Sequence, residues 1–406
     1  MQNLERGLYM KIEDLLENKS YILEHMPKGF FTSSKNLGIK DKSLDFTVIL
    51  SSKPANAAAM FTQSRFCGAP IPIGKKNVAN GKLQCFAINS KNANVATGEE
   101  GIKNVIEIVD LIAKELDISA EDILPSSTGV IGHQLPMDKI KEGIKNLKNN
   151  MVEGSLDKSA EAIMTTDTHP KLKMCKIGNA TLVGIAKGSG MIEPNMATML
   201  SYFVTDADIP SNTLQKILRE AVNQSFNMVT IDTDTSTSDT VAIMANGLAG
   251  KVDFQQFKES LTAMSIDLAK EIARDGEGAT KLIEVTVDEA SSFLQAKKIG
   301  KSIVNSPLVK TAVFGKDANW GRIAMAIGKC EDEVDVNPEK ISIYFGNTLI
   351  YNGKPINDDN LIKIQNYLKN PEIKIRVSLG LGTQEATVWG CDLSYDYVRI
   401  NGEYTT

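Results

Sequence analysis

Short apolar runs recur along almost the whole chain, each closed by Gly, Pro, Asn, Asp or Ser, and a few longer stretches of helical periodicity separate them. That mixture constrains the fold more than any other feature. From Phe46 to Asn89 the runs FTVIL, AAAMFT and CFAIN read as strands, and so, further on, do TLVGIA, TMLSYFV, TVAIMA, LIEVTV, LVKTAVF, RIAMAIG, ISIYF, IKIRVSL and ATVW. Thr97-Gly-Glu-Glu100 has the form of a capping box and leads into Ile102, Val105, Ile106, Val109 and Ile112 at helical spacing. Two more helices are expected, one after Pro210 with Leu214, Ile217, Leu218 and Ala221, the other with Phe254, Phe257, Leu261, Met264 and Leu268 on one side. Helical layers covering a substantial mixed sheet, an α/β architecture, satisfy these patterns together.

At 406 residues the chain is long enough for two lobes or one large layered domain. It has no fixed-period repeat and no low-complexity linker. The first 20 or so residues are polar, with only Ile12, Leu15 and Leu16 as a narrow apolar stripe, and suggest a loosely attached helix. Hydrophobic residues at 42% and charged residues at 23% are ordinary globular proportions. A net charge of -5 with interspersed signs offers no positive field for nucleic acid or anionic lipid. No run suits a membrane span and the polar start lacks a secretion-signal core, so the cytoplasm is the expected compartment. The five cysteines include no C-x-x-C pair and read as reduced, mostly buried thiols. Three scattered histidines give no zinc pattern.

The patterns of an α/β-hydrolase serine, a phosphate loop and a zinc protease are all missing from the sequence. With only three isolated histidines, a nucleophile, if the chain has one, is expected to use another base. Thr198 opens the apolar run TMLSYFVTD directly after the loop-like stretch KGSGMIEPN, Lys187 to Asn195. If the Ala197–Thr198 bond is broken, the freed α-amine, with an unperturbed pKa of about 8, lies within reach of its own hydroxyl and serves as base. On composition alone a β-branched residue that simply favours a strand is the better explanation of Thr198, since any large protein has many strand threonines.

The stretch KGSGMIEPNMATML (187–200) resembles the self-cleavage motif of the ornithine acetyltransferases, also called bifunctional glutamate N-acetyltransferases. SSTGVIG (126–132), MTTDTHPK (164–171), DTSTSDTV (234–241), DGEGATK (275–281), ANWGRIAMAIG (318–328) and the end VRINGEYTT (398–406) match in the same order. The resemblance implies a precursor cut between Ala197 and Thr198 into an α chain, 1–197, and a β chain, 198–406, that stay together as a heterotetramer of two of each. It implies a layered α-β-β-α sandwich, similar in shape to N-terminal-nucleophile hydrolases but connected differently. Thr198 then matches the nucleophile, Thr128 and Gly129 the oxyanion-hole pair, and Thr165, Lys187, Glu277, Asn401 and Thr406 the residues that hold the amino-acid substrate. Donors such as the Thr128 hydroxyl and the Gly129 N–H, aimed at a developing oxyanion, each remove roughly 3–4 kcal/mol of barrier. Lys187 suits a carboxylate, and Glu277 the ammonium end of ornithine.

The implied reaction moves acetyl from N-acetylornithine through Thr198 to glutamate, releasing ornithine in a ping-pong exchange that requires no cofactor. Acetyl-coenzyme A as a further donor, a hydrolase in which water replaces glutamate, and a binding protein that never matures are the rivals. Asp232, Asp234 and Asp239 offer hard oxygens, but the run lacks the glycine and glutamate of a calcium loop and reads as a hydrogen-bonded scaffold near the nucleophile. Lys91 and Thr233 stand where many relatives have glycine, and Ser238 where asparagine is frequent. These departures resemble a branch with members in clavam antibiotic clusters.

Overall fold

The computed structural model describes residues 26–154, 156–193, 199–356 and 359–403. The proposed amino-terminal helix, Ala197, Thr198 and Thr406 lie outside them. The described chain begins with β1 (Phe30–Lys35), β2 (Phe46–Phe61), α1 (Pro70–Asn77), β3 (Lys82–Asn89), α2 (Gly98–Leu116), β4 (Ile123–Ser127), α3 (Met137–Ile144), β5 (Val152–Glu153) and α4 (Leu156–Ala162). It continues with β6 (Lys171–Ile177), β7 (Ala180–Lys187), β8 (Leu200–Asp208), α5 (Ser211–Gln224), β9 (Thr240–Lys251) and α6 (Phe254–Arg274). The remaining elements are β10 (Leu282–Ala290), α7 (Phe293–Asn305), α8 (Pro307–Gly315), α9 (Trp320–Gly328), β11 (Ser342–Phe345), β12 (Thr348–Asn352), α10 (Asp359–Tyr367), β13 (Glu372–Ser378), β14 (Gln384–Cys391) and α11 (Tyr395–Glu403).

β1 to β9 form one hydrogen-bonded sheet whose main path runs β4-β3-β2-β9-β8-β7-β6. It does not stay flat. β2 pairs with β1 and β3 through its first half and with β9 through its second, and its register against β3 shifts between Leu50 and Ala55. In a flat sheet β3 and β8 would stand three strand spacings, about 14 Å, apart, yet the rings of Phe86 on β3 and Tyr202 on β8 meet at 5.1 Å. The sheet therefore folds over at the β2 irregularity, and its halves face each other across a core that includes Ile49, Leu83, Phe86, Val183, Tyr202 and Met244. Removing each such side chain from water contributes about 1.5–3 kcal/mol.

Helices close both outer faces. Val105, Val109 and Ile112 of α2 and Ile140 of α3 cover Val48 and Cys85 on one side, while Leu214 and Leu218 of α5 and Leu261 and Met264 of α6 cover Phe203 and Ile243 on the other. The resulting order is α-β-β-α, the expected sandwich. A second sheet, β12-β11-β13-β10-β14, packs beyond α6. There Lys270 of α6 donates to Glu284 of β10 at 3.1 Å, and Gly300 of α7 lies so close to Val388 of β14 that a Cβ would sit 2.9 Å from it.

Three local expectations change. The capping box at Thr97 does not form: its hydroxyl donates instead to Asn94 Oδ1 at 2.7 Å, and Asn94 Nδ2 donates to Gly101 O at 3.0 Å. Ile102 and Ile106, 42% and 47% exposed, sit on the flank of the buried stripe of α2, and Phe254 lies outside that of α6 at 41%. LVKTAVF and RIAMAIG are helices, not strands. Ser306 Oγ caps the first of them by accepting from Val309 N–H at 3.4 Å, and Pro307 supplies the preset first helical φ, signals that outweigh the β-branched residues. All five cysteines are free, Cys85 and Cys391 buried and Cys67 exposed.

Candidate active site

The pairings Lys187↔Leu200 and Leu200↔Thr240 put the end of β7 and the starts of β8 and β9 side by side at one edge of the sandwich. A cleft opens at that edge, and Thr128, Gly129, Thr165, Lys187, Glu277 and Asn401 all line it. Each of these residues singled out from the sequence therefore faces one space, although 273 positions separate the ends of the set in the chain. The proposed nucleophile lies outside the described residues, between Glu193 and Met199, and these two described neighbours border the same edge.

Thr128 and Gly129 follow β4 directly. Thr128 N–H donates to Asn89 O at 3.1 Å, and Val130 N–H to Lys91 O at 2.9 Å, so the turn is tied down on both sides of the glycine. Gly129 has φ 130°, and a Cβ on it would lie 2.2 Å from the Lys91 carbonyl carbon, so no other residue fits. Lys91 itself adopts φ 74° and Thr233 φ 71°. Both positions thus have a glycine-like backbone with larger residues on it.

Lys187 is half-buried, and its ammonium donates to Thr165 Oγ1 at 3.4 Å. Burial lowers its pKa, against the pull of Asp167 and Asp239. Beneath it lies a group that the sequence reading missed. The fully buried Lys171 ammonium bridges Asp167 Oδ1 at 2.7 Å and Asp275 Oδ2 at 2.6 Å. Burial alone would raise the Asp167 carboxyl, but Lys171 and Lys187 overcome it and hold the group below the usual carboxylate range. Asp167 uses that charge to fix the cleft wall, accepting from Thr165 N–H at 3.0 Å and from Gly188 N–H at 2.7 Å. Asp275 also contacts His169, whose pKa it and Glu271 raise to about 9. The signal was present in MTTDTHPK and DGEGATK, whose acids and lysine have no reason to pair until the fold brings 167 and 275 together.

Glu277 forms the opposite wall. Its N–H donates to Ser189 O at 2.9 Å, its carboxylate accepts from Asn401 Nδ2 at 2.9 Å, and a Cβ on Gly190 would fall 2.4 Å from that carboxyl group. Tyr397, also missed, stands beside it, with its phenol pushed up to about 12 by burial and by the charges of Asp232, Glu277 and Asp234. The cleft is thus cationic at Lys187 and anionic at Glu277, Asp232 and Asp234, a polarity that suits a zwitterion.

Asp232 behaves as scaffold: its two oxygens accept from Met191 N–H at 2.7 Å and Ile192 N–H at 2.8 Å. Asp239 differs. It is buried next to the Leu200↔Thr240 pair, its Oδ2 has no hydrogen-bond partner among the described residues, and burial raises its pKa well above the usual value.

A folded-over sheet between helical layers, with a dipolar cleft at its strand ends, defines a layered α/β protein whose polar side chains converge on one cleft. The chain belongs to the ArgJ family, whose model matches residues 32–406. The arginine biosynthesis bifunctional protein ArgJ 2 of Clostridium acetobutylicum is 54% identical over 381 residues, covering 94% of this chain and 98% of that one. A glutamate N-acetyltransferase of Streptomyces clavuligerus is 47% identical, with the same coverage. Among solved structures, an ornithine acetyltransferase complexed with ornithine from Mycobacterium tuberculosis is 32% identical with a TM-score of 0.40, covering 42% of this chain and 94% of that chain.

Proposed function

We propose that the chain is a glutamate N-acetyltransferase of arginine biosynthesis that activates itself by cleavage between Ala197 and Thr198 and then carries acetyl from N-acetylornithine to glutamate. The observation that carries this reading is the convergence of Lys187, Thr165, Glu277, Asn401 and the Thr128-Gly129 turn on one cleft, at whose edge β8 begins two residues beyond Thr198.

In the self-cleavage step the Thr198 hydroxyl oxygen attacks the Ala197 carbonyl carbon and the peptide C–N bond breaks, with the hydroxyl proton passing to the nitrogen. Water then hydrolyses the ester, leaving an Ala197 carboxylate and a free Thr198 amine and hydroxyl. That hydroxyl next attacks the acetyl carbonyl of the donor. Ornithine leaves on its amine after taking a proton, and the acetyl ester waits for the amine of glutamate. On this reading both half-reactions pass through an oxyanion that takes hydrogen bonds from the Thr128-Gly129 turn. Lys187 meets the substrate carboxylate and Glu277 an ammonium group. No cofactor enters either half-reaction.

The two chains stay together on this reading because one sheet runs through both. β7 precedes the cut and β8 follows it, yet they pair from Leu182↔Thr205 to Lys187↔Leu200, and β2 pairs with β9. Assembly as two such heterodimers remains the proposed state. The donor test is direct: with N-acetylornithine and glutamate, N-acetylglutamate should form with parallel double-reciprocal plots. Acetate released without glutamate would instead identify a hydrolase, and N-acetylglutamate formed from glutamate and acetyl-coenzyme A in the absence of N-acetylornithine would identify the bifunctional enzyme.

A further inference from the structure

The described residues on either side of the scissile stretch are both anchored on the segment 229–240. On the far side, Thr240 N–H donates to Met199 O at 3.1 Å. On the near side the chain through 191–193 lies along 231–235: Ile231 N–H donates to Ile192 O at 2.7 Å, Glu193 N–H to Asp234 O at 3.0 Å, and the Thr235 hydroxyl to Glu193 O at 3.1 Å. Glu193 is the last described residue before the cut, and its side chain has partners of its own. Asn305, at the end of α7, donates from Nδ2 to Glu193 Oε2 at 3.0 Å, and the Lys301 ammonium, one turn earlier, stands 4.0 Å from Oε1.

These two residues also hold the cradle. Lys301 Nζ donates to Val229 O at 2.5 Å, and Asn305 Oδ1 accepts from the Thr230 hydroxyl at 2.5 Å. The same side chains of α7 therefore grip both the arm that enters the scissile stretch and the segment on which that arm lies.

We propose that Glu193, clamped by Asn305 and Lys301, is a positioning residue for self-cleavage: it fixes the approach of the scissile stretch and has no part in turnover of the mature enzyme. The proposal rests on the self-cleavage reading above. A short segment fixed at both ends samples few conformations, and freeing one end spreads it over many in which the hydroxyl and carbonyl do not meet. After the cut the requirement disappears. Thr198 is then carried by Met199 and β8, whose anchor at Thr240 does not involve Glu193, and the cleft wall at Met191 and Ile192 is still held by Asp232.

The experiment follows freshly translated full-length chain by denaturing electrophoresis and, after maturation, measures turnover per cleaved chain. E193A removes both side-chain contacts, N305A removes one of them, and E193Q keeps an acceptor for Asn305. We expect E193A and N305A to lengthen the cleavage half-time about tenfold or more, E193Q to recover part of the loss, and turnover per cleaved chain to stay within about twofold of wild type. An unchanged half-time, or cleavage and turnover falling together, overturns the proposal. A wild-type chain that never cleaves fails differently, since it removes the self-cleavage reading itself.

Discussion

Asn401 Nδ2 donates to Glu277 Oε2 at 2.9 Å, joining residues 124 positions apart. The bond fastens α11, which buries none of its residues, to the wall of the cleft, with help from the Ser394 hydroxyl, which donates to Gly278 O at 2.5 Å. A helix that buries none of its residues contributes little to global stability, but its Asn401 orients the Glu277 carboxylate. N401A should therefore lower kcat/KM for the amino-acid substrate roughly tenfold, the loss of one charge-assisted hydrogen bond, with an unchanged melting temperature. Paired steady-state and thermal-shift measurements check this.

Lys171 is the only cation within 4 Å of the Asp167 carboxylate among the described residues, and both side chains are fully buried. K171M would leave the buried Asp167 carboxylate without its ion-pair partner, while Asp275 would keep His169. Breaking such a group costs about 3–5 kcal/mol, so urea unfolding should show a loss of that order. The double substitution D167N/K171M should recover part of it.

His169 supplies a pH-dependent contribution. Its folded pKa, raised to about 9 by Asp275 and then Glu271, lies above the ordinary 6.5, so the unfolded chain loses the proton first. The stabilisation is complete below about pH 6.5 and is lost as the pH rises through about 9. The ring is partly exposed, which makes the effect modest. The melting-temperature gap between wild type and H169Q should close over that window and stay constant below it.

Much of the architecture was legible in the sequence because strand runs such as TLVGIA and LIEVTV carry local signals that tertiary contacts only reinforce. The two valine- and isoleucine-rich runs at 308–314 and 322–328 misled because their composition favours strands, while the Ser306-Pro307 start that makes the first of them helical occupies only two positions. The folding-over of the first sheet was not legible, since it depends on an irregularity inside β2. At the site, motif residues from Thr128 to Asn401 could be named in advance. Tyr397 and the Asp167–Lys171–Asp275 group could not, and Asp239 was legible only as part of a hydrogen-bonded scaffold, because their significance lies in burial and mutual distance.

Thr233 tests the glycine-like backbone. It is an exposed, β-branched residue at φ 71°, a conformation that glycine adopts without steric cost. T233G should stabilise the protein by about 0.5–1 kcal/mol, the relief of strain exceeding the added freedom of the unfolded chain. Equilibrium denaturation of the two proteins measures the difference, and a loss of stability would mean that the threonine side chain compensates for its backbone.

The most direct measurement is the denatured mass of the purified protein together with the amino-terminal residue of each component. We expect two fragments that co-purify in native buffer and separate only on denaturation, the second beginning at Thr198. A single chain with the mass of all 406 residues, unchanged on long incubation, would contradict the assignment of Thr198 as a self-liberated nucleophile.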